Sequence, residues 1–230
     1  LHVQTTPRRH SFVLRATGLT KLYGTTVALV GVELTARSGE LTLVRGANAS
    51  GKSTLLRLLA GLAVPTAGQV SVAGEAGAPA RVSYAGHAGH LYPDLTAVEN
   101  VDLASGLAGG DRRGGVALLD RLGVAASARQ RCRGLSSGTL RRVALARALA
   151  TDPDVLIADE PFAGVDGASA DRVATVLAEL RAEGRLVVIA SHERSRSDTL
   201  ADQTVELNGG RLAQPPAGLT GRPIEGGIAR

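Results

Sequence analysis

Apolar and polar positions alternate in short runs near the start of the chain. The runs FVLRA (12–16), ALVGVEL (28–34) and LTLVR (41–45) are broken by Gly24 and by SGE at 38–40, which predicts three short strands. The period then changes. In GKSTLLRLLAGLA (51–63) leucines fall at 55, 56, 58, 59 and 62, as on one side of a helix. GQVSVAG (68–74) and RVSYAG (81–86) read as two further strands. Between 94 and 133 two helical pieces, LTAVENVDLASGLAGG and GGVALLDRLGVAASA, are joined by GGDRRGG. That is a small helical insertion with a flexible joint.

An α/β rhythm returns after the insertion. A helix over 138–151 leads to DVLIADE (154–160), and a helix over 167–182 leads to RLVVIASH (185–192). Both strands are apolar throughout, as expected of central parallel strands covered on both faces. TVELNGGRLAQ (204–214) predicts a hairpin turning at Asn208–Gly209. The polar start, 1–11, and the Pro- and Gly-rich end, 214–230, are expected to be loose. The expected organisation is one domain, with a core from 12–93 and 134–213 around the insertion at 94–133.

Composition narrows this little. Of the 230 residues 44% are hydrophobic and only 2% aromatic, so Leu, Val and Ala must build the core. The net charge of +5 suits a polyanionic ligand. It equally suits a basic soluble surface. Cys132 is the one cysteine, which excludes an intrachain disulfide. No apolar run approaches the roughly 20 residues of a membrane helix. LHVQTTPRRHSFVLRATG at the start lacks the apolar centre of a signal peptide. A cytoplasmic protein is expected, one that reaches a membrane only by docking onto another protein.

The strongest chemical motif is GANASGKST, Gly46, Ala47, Asn48, Ala49, Ser50, Gly51, Lys52, Ser53 and Thr54, between an apolar strand and a helix. It fits the phosphate loop G-x-x-x-x-G-K-[ST]. Its N–H groups would point at a phosphate and Lys52 would add a cation near the β- and γ-phosphates. The Ser53 hydroxyl would go to Mg²⁺, and Thr54 to the α-phosphate. VLIADE ends a buried strand on two carboxylates, which is costly unless they meet a cation. Asp159 would bind Mg²⁺ through water. Glu160 would polarise the water that attacks the γ-phosphate. Residues 134–138, GLSSG, admit two readings: the G-x-S-x-G elbow of serine hydrolases, or a polar turn opening an anion-binding helix. The elbow needs a strand before the serine, and the polar SARQRCR precedes it.

Together these motifs resemble the ATP-binding subunits of ABC transporters, over about residues 12–213. The resemblance implies an α/β phosphate-loop ATPase cassette. Its sheet core would be mostly parallel, with an antiparallel β subdomain and a small inserted helical subdomain. LSSGT (135–139) then occupies the place of the family's signature motif. By that resemblance Ser136 and Gly138 bind the γ-phosphate of an ATP held by a second subunit. Tyr23 in KLYGTT resembles the aromatic that stacks on adenine, though alone it is as well a surface tyrosine. GVD (164–166) resembles the loop at the dimer interface, with Asp166 as its acid. His192 in IASHE resembles the switch histidine that contacts the γ-phosphate; a lone histidine there would be structural. The implied ligands are ATP and Mg²⁺. The implied partners are a second such ATPase subunit, in a homodimer, and membrane permease subunits, at the cytoplasmic face of the membrane. No nucleic acid partner is expected.

Two departures stand out. Where the family usually has Gln, sensing Mg²⁺ and the membrane partner, this chain has His87. A neutral imidazole can accept a hydrogen bond from metal-bound water, so His87 stays among the candidates around Mg²⁺. His90 makes a metal site conceivable, but no Cys or acid completes a ligand set. Ser137 replaces the usual second glycine of the signature and Thr139 the usual Gln, which bears on turnover more than on binding. A module that binds nucleotide without useful turnover is therefore a second reading. A soluble ATPase acting on nucleic acid or the ribosome is a third, disfavoured by the single cassette and the lack of heptads. Y-x-G-H followed by L-T-A-x-E-N, in YAGHAGHLYPDLTAVENV, resembles the heme-exporter ATPases of cytochrome c maturation. Exporters of drugs, lipids or other small molecules share much of that pattern.

Overall fold

The computed structural model describes residues 11–86, 91–111, 113–192 and 195–213. The expectations for 1–10, 214–230, His87 and His90 lie outside the described residues. The elements in chain order are β1 (Phe12–Tyr23), β2 (Thr26–Arg37), β3 (Leu41–Arg45), α1 (Lys52–Leu59), β4 (Ala67–Gly74) and β5 (Val82–Ala85). The insertion holds α2 (Ala97–Leu107) and α3 (Gly115–Arg121). Then follow α4 (Ser137–Leu149), β6 (Val155–Asp159), α5 (Gly167–Ala182), β7 (Leu186–Ala190), α6 (Ser195–Leu200), β8 (Gln203–Asn208) and β9 (Arg211–Leu212).

Two sheets result. An antiparallel sheet runs β2-β1-β4, and a larger sheet runs β5-β6-β7-β3-β8-β9. In the larger one every pairing from β5 to β8 is parallel, and only β9 is antiparallel. Alternation of side chains explains how its all-apolar strands serve two cores. Val155 and Ile157 of β6, with Leu186, Val188 and Ala190 of β7, face α1 and the antiparallel sheet. Leu156, Ala158, Val187 and Ile189 face α4, α5 and the insertion. Leu55, Leu56, Leu58 and Leu59 hold α1 down, each at most 2% exposed. Each such leucine contributes about 1.5–3 kcal/mol.

Several predicted boundaries move. β1 and β2 run to 12 residues each, because β1 absorbs Gly18 at a register shift between Ala16 and Leu19 and pairs on beyond it. α1 stops at Leu59: Gly61 is left-handed at φ 70°, and Leu62 N–H closes back onto Arg57 O at 2.8 Å. Leu62, expected on the apolar side, is therefore 56% exposed. The late hairpin turns at Gly209–Gly210, since Asn208 pairs with Arg211, and its first strand belongs to the parallel sheet beside β3. α6 had no visible periodicity in the sequence.

Candidate functional site

The carboxyl ends of β3, β5, β6 and β7 lie side by side, where parallel sheets place their ligands. Residues 46–51 leave β3 there and turn into α1. Gly46 and Gly51 have φ of 148° and 105°. A Cβ on Gly46 would lie 2.3 Å from Leu207 O, and one on Gly51 2.6 Å from Ala28 O, so only glycine fits this cradle. Gly210 N–H braces the loop by donating to Ser50 O at 3.0 Å. Ala49, a non-glycine, is held left-handed at φ 62°. Lys52 is 7% exposed. Its Nζ donates to Gly46 O at 2.8 Å and to Ala47 O at 3.0 Å, folded back over the loop it follows.

Asp159 ends β6 opposite that loop. It is 4% exposed. Its Oδ2 accepts from the Tyr84 hydroxyl at 3.3 Å, while Oδ1 has no hydrogen-bond partner among the described residues. An orphaned buried carboxylate oxygen is costly, and it suits a hard cation. Burial first, and the Asp159 carboxylate second, push the Tyr84 hydroxyl up to about 12, so at neutral pH it remains a donor. Glu160 follows at φ 54°. Its N–H donates to Ala190 O at 2.9 Å. One carboxylate oxygen lies 2.8 Å from His192 Nδ1 and accepts the His192 backbone N–H at 3.3 Å. Asn48, Ala49, Gly51, Lys52, Ser53, Thr54, Asp159 and Glu160 line one open cleft of about 320 Å³, completed by Thr26, Val27 and Ala28.

A second cluster forms at the start of α4. Ser136 caps the helix: its Oγ accepts Thr139 N–H at 3.2 Å and lies 2.9 Å from the Thr139 hydroxyl. A 3₁₀ turn, Cys132–Gly134, precedes it in place of a strand, so the hydrolase elbow is absent. A Cβ on Gly138 would lie 2.2 Å from Gly164 O; glycine there lets the 164–166 turn close onto the helix. Arg141 donates to Ala163 O at 2.7 Å. Arg142 donates to Gly138 O and to the Ser169 hydroxyl. Asp166 caps α5, accepting the N–H and hydroxyl of Ser169 at 2.9 and 2.8 Å. The bond from the Ser169 N–H, then that from its hydroxyl, holds the Asp166 carboxyl below its ordinary value.

Residues 29–163, from β2 through the loop and the acidic strand, match the family model "ABC transporter". The chain belongs to the ABC transporter ATP-binding family. It is 37% identical to the aliphatic sulfonates import ATP-binding protein SsuB 1 of Nocardia farcinica, covering 91% of this chain and 83% of that one. It is 34% identical to the lipoprotein-releasing system ATP-binding protein LolD of Xanthomonas euvesicatoria pv. vesicatoria, over 91% and 93% of the two chains. Among solved structures, a dimeric ATP-binding cassette in a post-hydrolysis state, bound to ADP and Pi, superposes with a TM-score of 0.80. It is 25% identical, over 87% of this chain and 97% of that one. The chain is thus an ABC transporter ATPase subunit, and its sheets and insertion are those of a cassette.

Within this one cassette the predicted residues fall into two groups. Asn48, Ala49, Gly51, Lys52, Ser53, Thr54, Asp159 and Glu160 line the cleft; His192 touches Glu160 without lining it, and Gly46, Ala47 and Ser50 shape the loop behind it. Tyr23, Ser136, Gly138 and Asp166 do not line it. Tyr23 pairs with Thr26, is 50% exposed, and has Lys21 Nζ 5.0 Å from its ring centre. Sequence reasoning missed Thr26, Val27 and Ala28, which carry no distinctive chemistry. It also missed Tyr84. A phenol in the middle of an apolar strand needs a partner for its hydroxyl, and that signal was available. Among the described residues no helix is long and apolar enough to cross a membrane.

Proposed function

We propose that this cassette binds ATP in the cleft, with its phosphates on the loop and Lys52, and hydrolyses it to drive a membrane transporter. The observation that carries this is the meeting of the phosphate cradle with an orphaned Asp159 oxygen and a Glu160 carboxylate held by His192. Water attacks the γ-phosphorus while Glu160 accepts its proton. ADP and phosphate are the products, and the His192 bond keeps Glu160 aimed into the cleft. Ser53 and Asp159, with His87 by family resemblance, are the residues for Mg²⁺, which when bound neutralises phosphate charge. Tyr23 stacks on the adenine.

The second cluster acts across a dimer. Ser136 and Gly138 offer a capped helix start to the γ-phosphate in the opposite subunit, and Asp166 lies on the same face. The solved cassette bound to ADP and Pi is dimeric, which supports the pairing of two such subunits. The paired subunits work at the cytoplasmic face of the membrane, bound to permease subunits. The test mixes Glu160→Gln chains with Ser136→Arg chains. Glu160→Gln alone should form an ATP-dependent dimer by light scattering. A mixed dimer of the two chains should hold at most one nucleotide firmly. An ATP-bound Glu160→Gln chain that stays monomeric rejects the dimer.

For the cargo, heme export in cytochrome c maturation is the finer reading, and it rests on sequence alone. Part of its motif has a structural role whatever the cargo. Thr96 and Glu99 form the capping box of α2, and buried Asn100 ties Tyr92, Leu95 and Thr96. The kinship therefore rests on Tyr84, Gly86 and His87. Deleting the gene and staining for covalent heme in cytochromes c decides it: undiminished staining, with no second copy of the gene, removes this cargo class.

A further inference from the structure

The cleft's acidic residue is held from behind. Tyr84 on β5 pairs with Ile157 of β6, two residues before Asp159. Side chains alternate along a strand, so Ile157 and Asp159 share the face of the sheet that looks toward α1. Tyr84 packs against the same core cluster as Ile157. The Tyr84 hydroxyl donates to Asp159 Oδ2 at 3.3 Å, which leaves Oδ1 of the same carboxylate without a hydrogen-bond partner among the described residues.

We propose that Tyr84 is a positioning residue for the metal carboxylate: its hydroxyl fixes Oδ2 of Asp159 and so turns the unpaired Oδ1 toward a cation in the cleft. The inference rests on the reading of Asp159 as the Mg²⁺ acid. Without the tether, the carboxylate would be free to rotate about its own bond and lose this aim. Gly86 is part of the device. A Cβ there would lie 2.3 Å from Cε1, 2.8 Å from Cζ and 2.9 Å from Oη of Tyr84. Any other residue at 86 displaces the ring and carries the hydroxyl away from Asp159.

The experiment uses the full chain with Tyr84→Phe, which keeps the ring and removes only the hydroxyl. Mn²⁺ binding in the presence of a non-hydrolysable ATP analogue is followed by electron paramagnetic resonance. The Mg²⁺ concentration for half-maximal ATPase is measured beside it. Both should weaken about three- to tenfold, the loss expected for one modest hydrogen bond. KM for ATP at saturating Mg²⁺ and the metal-free unfolding temperature should stay at wild-type values. Gly86→Ala should shift the metal dependence in the same direction with the hydroxyl still present. Wild-type Mn²⁺ affinity in Tyr84→Phe overturns the proposal. So does a weakening that appears only together with a lowered metal-free unfolding temperature. Asp159→Asn is the control for the underlying reading: if it binds Mn²⁺ with nucleotide as wild type does, Asp159 is not the metal acid, and that failure is separate from Tyr84's.

Discussion

The cleft and the start of α4 are the two places proposed to meet phosphate, yet they differ in what the chain leaves open. In the cleft, groups from the loop, α1 and the end of β6 converge, and one buried oxygen, Asp159 Oδ1, remains without a hydrogen-bond partner among the described residues. At the start of α4 the Ser136 hydroxyl is already engaged by Thr139, three residues on. The cleft is a pocket within one chain. The helix start is exposed, and its bonds are local. A ligand reaching Ser136 must therefore replace a cap with a better acceptor, which a phosphate brought by a second subunit can do.

Substitutions in the two regions should separate along the same line. The largest effect is expected in the cleft. Glu160→Gln should lower turnover by about 10²–10⁴-fold, the scale of general base catalysis, while equilibrium ATP binding stays intact. Near-normal turnover would remove Glu160 from the reaction. Lys52→Ala should weaken ATP binding about 10- to 100-fold through loss of charge-assisted phosphate bonds. Isothermal titration showing wild-type affinity would contradict the role of the loop.

At α4 the effects should be on stability and dimerisation first. Gly138→Ala puts a Cβ 2.2 Å from Gly164 O, and overpacking of this kind costs about 1–3 kcal/mol, measurable by urea unfolding. Ser136→Ala removes a cap worth about 1 kcal/mol. It should spare nucleotide binding by the monomer and weaken the ATP-bound dimer, so equal loss of both would erase the contrast between the regions. The smallest effect concerns Asp166. Its folded carboxyl titrates below the unfolded value because Ser169 donates to it. Its contribution is therefore present above the unfolded value, about 3.9, and fades as pH falls through the lower folded one. Asp166→Asn should be less stable than wild type at neutral pH and should converge with it in acid. A stability gap that does not change with pH would show that the cap works without its charge.

The sequence alone determined the order of elements apart from α6, and it marked the glycine loop between β3 and α1, because glycine spacing, a lysine and an apolar strand are local signals. It determined the acidic pair at the end of β6 for the same reason, and the α5 helix over 167–182. It understated β1 and β2, whose length depends on pairing across a bulge at Gly18 rather than on their own alternation. It missed the parallel seat of β8 beside β3, since pairing between distant strands leaves no mark on either one. Only the tertiary structure decided which groups share the cleft. Tyr84 and Asp159 come from two strands 75 residues apart in the chain, and neither carries a motif that names the other. Hydrogen bonds form between atoms close in space, and the sheet order sets that closeness by placing β5 against β6 with α1 across their common face.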